Sequence, residues 1–321
     1  MIELINKIES ILKKKGIFFE NISFLAGDAS NRKYFKFFSE SEKKIIMYDD
    51  KGKKSIDLFL KKTSILKDYK IKVPKIFNVF KEESLLIIEY FGEKKYSQIL
   101  NKKNKKKLYK LAVDNLIYLH KFKPNKEFKS YTKQKFWEES KLFFSWYLVL
   151  KKKKIPPNEL LEFKSLFFDF LTDLYILPQV NIHRDFHIDN LFFLSNQRGL
   201  KKCGWIDYQD AISGPCVYDL MSLLEDARVD SDSEVNDYLI SYYLKHFKKI
   251  DKLLFEKTFK IIAIQRHLKV LGIFSRLYLR DNKPAYLSHI PRVEEMLKRN
   301  ICFNQFKEIN FFLNHFLKNK K

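Results

Sequence analysis

The stretch from Asn181 to Asp210, NIHRDFHIDNLFFLSNQRGLKKCGWIDYQD, constrains the fold more than any other part of the chain. His183, Arg184, Asp185 and Asn190 fall in one short polar segment. Two apolar runs follow, 191–194 and 201–206, separated by the turn-forming residues 196–199, and this pattern predicts a β-hairpin. Such a hairpin carries Asn190 and Asp207 to one end, where an amide oxygen and a carboxylate can share one Mg²⁺. The five-residue spacing lets Asp185 face an acceptor hydroxyl instead. An acid at the hydroxyl, with an amide and a second acid on the metal, is the donor set that phosphoryl transfer requires. A single loop Asp is usually only solvated, so the combination and its order carry the reading. His183 is expected to anchor the loop by hydrogen bonds. Asp219, opening a predicted helix over 218–227, is expected to accept N–H bonds from the loop. His187 either touches substrate or packs.

Around this stretch the chain reads as two parts. Residues 2–15 fit an amphipathic helix, and runs 22–25, 33–38 and 44–48 read as strands. Between the first two strands lies the small-residue turn Ala26-Gly27-Asp28-Ala29-Ser30. Such a turn can lay backbone N–H groups over phosphate, which makes Ser30 a nucleotide-binding candidate. A helix over 55–66, with Ser55 as its cap, precedes a second hairpin of 75–80 and 84–89. That hairpin runs out at Glu89 and Gly92, which reads as a hinge. Beyond it the pattern is helical, at about 96–100, 104–121, 134–152 and 158–175, and again at about 218–227, 234–248, 252–279, 291–299 and 303–318. Gly214-Pro215 reads as a turn. The bulky Phe136, Trp137, Phe143, Phe144, Trp146 and Tyr147 read as core. The fold class is α+β. Residues 1–91 form a small N-terminal β-sheet lobe with a helix, suited to nucleotide. Residues 92–321 form a large, mainly helical lobe for catalysis and substrate.

Charge first suggests a different function. The formal net charge is +23, but only nine of the 62 basic residues are Arg. Readers of phosphate and base edges lean on Arg forks. Lysines spread along the whole chain read as solvated faces, so no nucleic-acid partner is expected. The positive field should still attract anionic small molecules such as nucleotides and acidic sugars. Apolar runs fall short of a membrane span, and residues 1–16 lack the apolar core of a secretory signal. Three cysteines without a CxxC predict buried thiols in a reducing, cytoplasmic setting, away from any membrane.

The segment 183–190 with the strand-end Asp207 resembles the catalytic segment of the aminoglycoside phosphotransferases and choline kinases, a branch of the protein-kinase-like fold. That resemblance implies a bilobal kinase-like fold that uses ATP and Mg²⁺. It implies Asp185 as catalytic base and Asn190 and Asp207 as metal ligands. Glu89, Tyr90 and Phe91 would be the adenine-contacting hinge, acting mainly through their backbones. Three further segments, LAGDASNRKYFKF from Leu25, IDYQDAISGPCVYDLMSLLEDAR from Ile206 and QRHLKVLGIFSRLYLRDNKPAYL from Gln265, resemble the anomeric amino-sugar kinases of bacterial cell-wall recycling. The implied activity is ATP-dependent phosphorylation of the 1-hydroxyl of N-acetylmuramate and N-acetylglucosamine by a monomer.

One departure stands out. Met47 occupies the third strand where the broad family carries a phosphate-binding Lys, which makes Arg32, Lys33 and Lys36 the candidate cations. His187, Gln209, Asp210 and Arg266, with His267, are candidate sugar contacts. Arg266 alternatively locks the structure by pairing with Asp210 or Asp226. The competing readings are another small-molecule kinase of this fold (for choline, thiamine, homoserine or an aminoglycoside) and a nucleotide-binding pseudokinase. The positive field disfavours cationic substrates, and intact Asp185, Asn190 and Asp207 disfavour the pseudokinase.

Overall fold

The computed structural model describes residues 1–27, 32–230 and 232–317. In chain order the elements are α1 (Ile2–Lys14), β1 (Glu20–Ala26), β2 (Arg32–Ser39), β3 (Glu42–Asp49), α2 (Lys53–Asp68), β4 (Ile76–Phe80), β5 (Leu85–Glu89), α3 (Tyr96–Ile99), α4 (Lys105–Leu119), α5 (Lys133–Ser140), α6 (Leu148–Leu150) and α7 (Pro157–Phe170). They continue with β6 (Gln179–Ile182), β7 (Leu191–Phe193), β8 (Cys203–Trp205), β9 (Ile212–Pro215), α8 (Tyr218–Leu224), α9 (Ser233–His246), α10 (Lys252–Leu279), α11 (Ile290–Ile301) and α12 (Lys307–Leu317). The expected α+β class is what the chain adopts.

The chain falls into two compact units. The first comprises Met1–Leu100 and Asp189–Gln209. Its sheet has five antiparallel strands in the order β1-β2-β3-β5-β4. Side chains alternate across such a sheet, so each face is set by every second residue. Phe35, Phe37, Ile46, Tyr48, Leu85 and Ile87 point to one face and bury against Ile8 and Leu12 of α1. Each such burial contributes about 1.5–3 kcal/mol. The opposite face therefore carries the other residues of β2 and β3, among them Arg32, Tyr34, Lys36, Met47 and Asp49.

The β7–β8 hairpin belongs to this first unit, and backbone hydrogen bonds explain why. Phe193 N–H donates to the Lys94 carbonyl and Trp205 N–H to the Lys72 carbonyl, each at 2.8 Å. Gly204 permits the close approach, because a Cβ there would lie 2.7 Å from the Phe91 ring. The unit thus extends past Phe91 to Leu100 and recruits a segment distant in sequence.

The second unit comprises Asn101–Ile188 and Asp210–Lys321. Its central element is α10, 28 residues long, with Ile261, Ile262, Ala263, Ile264, Leu268 and Leu271 fully buried. Gly272 lets the α5–α6 region press against α10, since a Cβ there would sit 2.3 Å from the Leu142 backbone. A single π-helical turn over Phe143–Tyr147 absorbs this close approach, so the predicted helix 134–152 is regular only at its ends. Phe136, Trp137, Phe143, Phe144 and Tyr147 are core as expected, with Phe143 and Tyr147 stacked at 4.7 Å, but Trp146 is only half-buried.

Several local expectations differ from the structure. Ser55 does not cap α2; the N-cap is Gly52, and Ser55 lies inside the first turn. Gly214-Pro215 is not a turn but the end of β9, which pairs antiparallel with β6. A Cβ at Gly214 would lie 2.6 Å from Ile182 Cδ1, so the glycine serves strand packing. Pro215 at the last strand position costs little pairing. Residues 304–306 form a 3₁₀ turn, and α12 starts only at Lys307. Cys203 and Cys216 are buried thiols, but Cys302 is exposed at the end of α11. Among the described residues no helix is long and apolar enough to cross a membrane.

Candidate active site

The loop that carries Asp185 lies in the second unit and is held from two sides. Arg184 adopts a left-handed backbone, φ +80°. This conformation is costly for a side chain larger than glycine, by about 1–3 kcal/mol. Asp219 offsets the cost: its carboxylate accepts the N–H of His183 at 2.6 Å and that of Arg184 at 2.9 Å. Burial pushes the Asp219 carboxyl up to about 7, against the two N–H bonds. One peptide further on, Arg266 Nη1 donates to the Arg184 carbonyl at 3.0 Å. Downstream, Ile188 N–H donates to Asp226 at 3.1 Å. The loop is thus pinned before and after Asp185, and Asp219 stands as the anchor expected of it. His183 packs its ring edge-on to Phe186, inside the buried base of the loop.

Asp185 keeps about a third of its side chain exposed (32%), so its carboxylate can reach a ligand. Burial raises its pKa, but Lys269, Arg266, His187 and Arg184 outweigh that and hold the carboxyl below the ordinary value of 3.8. Arg266 Nη1 lies 3.7 Å from Asp185 Oδ1 and also donates to the Tyr218 hydroxyl at 3.3 Å. Lys269, three residues on along α10, pairs with Glu139 at 3.0 Å. Glu139 also binds Arg184 Nη2 and the Tyr131 hydroxyl. Burial pushes the Lys269 amine down, yet Tyr218, Glu139 and Asp185 more than reverse this, so it stays charged.

The expected sugar contacts are distributed unevenly. Arg266 is buried and pairs with neither Asp210 nor Asp226; its partners are Asp185, Tyr218 and the Arg184 carbonyl. Arg184 is the residue near Asp210 (3.7 Å), and Arg228 is the one that pairs with Asp226. Asp210 itself is exposed. His187 is half-buried, and burial first, then the Arg228 charge, lowers its pKa. His267 is buried on Glu225 at 2.7 Å and is structural.

In the first unit, β7 and β8 pair as predicted, Leu191 with Trp205 and Phe193 with Cys203. Ile206 N–H closes the ladder on the Asn190 carbonyl at 3.0 Å, so Asn190 and Asp207 flank the same end. Asp207 is exposed, with a left-handed backbone at φ +61°, and Gln209 Nε2 donates to its Oδ1 at 2.8 Å. Tyr208 fixes this turn to α2, stacking on Phe59 at 5.4 Å and bonding Thr63 Oγ1 at 2.8 Å. One exposed carboxylate and one amide oxygen suit Mg²⁺, which takes few protein oxygens and fills its shell with water and phosphate. The residues present therefore fit such an ion.

The hinge residues are firmly placed. Glu89 pairs with Lys72 at 2.7 Å and accepts the Lys75 N–H at 2.9 Å, which commits its side chain to structure. The Tyr90 hydroxyl bonds Glu93, and Phe91 meets Phe192 edge-on at 5.8 Å. Ser30 lies outside the described residues. Of the three candidate cations, Lys33 pairs with Asp50 and Lys36 with Glu93, both in exposed positions. Arg32 is buried, donating to Asp49 at 2.8 Å and Ser55 at 3.0 Å.

Sequence reasoning missed Glu139, Lys269, Tyr131, Tyr34 and Asp49. Lys269 was the most accessible of these, because an i, i+3 partner of Arg266 shares its helix face. Glu139 gave no signal beyond being an acid within an aromatic helix.

The phosphotransferase enzyme family matches residues 21–253. The N-acetylmuramate/N-acetylglucosamine kinase of Neisseria meningitidis is 27% identical over 312 residues, spanning 93% of this chain and 90% of that protein. The kinase of the same name from Pseudomonas aeruginosa is 28% identical, spanning 86% of this chain and 82% of that protein. Among solved structures, the choline kinase LicA from Streptococcus pneumoniae gives a TM-score of 0.62 at 15% identity, covering 91% of this chain and 99% of its own. The ADP-bound aminoglycoside phosphotransferase APH(2'')-Ib gives 0.59 at 19% identity, covering 90% and 98%. The fold is the protein-kinase-like fold of these enzymes, and the chain belongs to the phosphotransferase enzyme family.

Proposed function

We propose that this chain transfers the γ-phosphoryl group of ATP to the anomeric hydroxyl of N-acetylmuramate or N-acetylglucosamine. One observation carries the reading: the likeness to kinases named for these sugars runs past residue 253, where the family match ends. That extra length includes α10, whose Arg266 and Lys269 stand at the Asp185 loop.

In this reading Asp185 orients the sugar hydroxyl and takes its proton late. A carboxylate held at so low a pKa is a weak base, which suits an anomeric hydroxyl, more acidic than an ordinary alcohol. Positioning and charge then dominate over base strength. Asn190 and Asp207 would hold Mg²⁺, which when bound neutralises charge on the transferring phosphate. Glu89, Tyr90 and Phe91 offer backbone groups to adenine, and Arg32 serves the phosphates, the role the sequence also assigns to Ser30. Nucleotide binding is assigned to residues 1–91, and catalysis and sugar binding to residues within 92–321. His187, Gln209 and Asp210 contact the sugar, while Arg266 acts on the loop. The enzyme works as a cytoplasmic monomer.

The test is a sugar panel with Mg-ATP, scored for ADP release and, by NMR, for phosphate at C1 or C6. Amino-sugar 1-phosphate as the preferred product supports the reading. Preference for choline, homoserine or an aminoglycoside overturns it.

A further inference from the structure

The sheet face opposite α1 poses a problem for a phosphoryl-transfer enzyme. Kinases of this fold place a lysine on the third strand and tie it to the neighbouring helix through an acid, and both must be in place. Here the third strand presents Met47, fully buried and uncharged. Lys44 cannot substitute, because β-strand alternation turns it to the other face, where it pairs with Glu40 and lies over Phe77.

The neighbouring strand supplies the missing charge. In the β2–β3 register Tyr34 stands directly across from Met47, and Arg32 directly across from Asp49. Arg32 donates to Asp49 Oδ2 at 2.8 Å and to Ser55 Oγ at 3.0 Å, and Ser55 donates to the same Asp49 oxygen at 2.6 Å. The guanidinium also lies over the Phe59 ring of α2, at 5.5 Å. A cation, an acid and a helix are therefore linked, as in the lysine arrangement, but the cation has moved one strand over. The Tyr34 hydroxyl is near enough to Arg32 and to Asp207 to feel both charges. Phe59 of the same α2 stacks on Tyr208, the residue after Asp207. Helix α2 thus braces both the Arg32 pair and the Asp207 turn.

We propose that Arg32 and Tyr34 together make the nucleotide-phosphate contact that Met47 cannot, with Asp49 and Ser55 as positioning residues that fix Arg32 to α2. This rests on the nucleotide reading above and assigns its phosphate-side donors.

The experiment is titration calorimetry of the full chain with Mg-ADP and, separately, adenosine. The variants are Tyr34→Phe, which keeps the ring, and Arg32→Gln. A lost hydrogen bond to a charged group corresponds to about tenfold or more in affinity. Both variants should bind Mg-ADP about tenfold or more weakly while binding adenosine as the unaltered chain does. If Arg32→Gln does not fold, Tyr34→Phe decides alone. Unchanged Mg-ADP affinity in a folded variant overturns the assignment, as does an equal loss for adenosine, which would point to a general disturbance. Failure of the unaltered chain to bind Mg-ADP overturns the nucleotide reading along with it.

Discussion

Arg266 Nη1 sits between two features of the Asp185 loop, 3.7 Å from the Asp185 carboxylate and 3.0 Å from the Arg184 carbonyl it hydrogen-bonds. One guanidinium therefore supplies charge to the candidate base and holds the left-handed turn that aims it. Arg266→Met removes both. Turnover should fall about 100-fold, the scale expected when a reacting group is misplaced by about 1 Å. The KM for ATP should change little. Arg266→Lys should recover only part of the loss, because a single ammonium does not reproduce a planar fork. Steady-state kinetics with both substrates varied check this; a change confined to the ATP KM would contradict it.

The same cations fix how Asp185 responds to pH. Its folded pKa lies below the ordinary value of 3.8 despite the opposing effect of burial, because of Lys269, Arg266, His187 and Arg184. A depressed carboxylate contributes stability above its unfolded pKa and loses it as pH falls through the folded one. Asp185 should thus stay ionised throughout the range of about pH 5 to 8, and turnover should show no acid limb there from this residue. Lys269→Met should shift the acid limb upward. Asp185→Asn should lower turnover about 100-fold or more. Turnover measured against pH for the three proteins tests all of this.

Asp219 accepts two backbone N–H groups of the loop, those of His183 and Arg184. Asp219→Ala removes the acceptor of both, one buried and one part-buried, at a cost of up to about 1–3 kcal/mol each. Asp219→Asn keeps one carbonyl acceptor and should cost less. Urea denaturation should rank the two variants in that order, and amide exchange at His183 and Arg184 should accelerate most in the alanine variant. Equal stability of Asp219→Ala and the unaltered chain would contradict the anchoring role.

Much of this was legible in the chain. The hairpin around residues 196–199 was visible because turn residues separate two apolar runs, and it places Asn190 and Asp207 as its pattern predicts. The helices were visible through their periodicity. The charge network around Asp185 was not. Glu139, Arg184 and Lys269 come from three separated segments, and no local pattern states that α5 and α10 meet. Met47 advertised a missing lysine, but the compensation depends on cross-strand register, which places Arg32 opposite Asp49. Gly214 read as a turn because its demand for close strand packing is a tertiary fact.

Glu139 is the residue on which that hidden network depends. It accepts from Arg184, Lys269 and the Tyr131 hydroxyl, and all four side chains are largely buried. Burial alone would raise its pKa; Lys269 first, then Arg184 and Tyr131, hold it lowered. Its contribution to stability is accordingly present above the ordinary value of 4.5 and lost as pH falls below it. Glu139→Gln leaves two buried cations facing a neutral amide, and breaking such a pair costs about 3–5 kcal/mol. Neutralising the partner as well, in Glu139→Gln with Lys269→Met, should recover part of that loss, since one uncompensated charge is then gone. Thermal melts near neutral pH and below pH 4.5 distinguish the cases: the gap between the unaltered chain and Glu139→Gln should narrow in acid. A constant gap would mean that Glu139 acts through shape and not through charge.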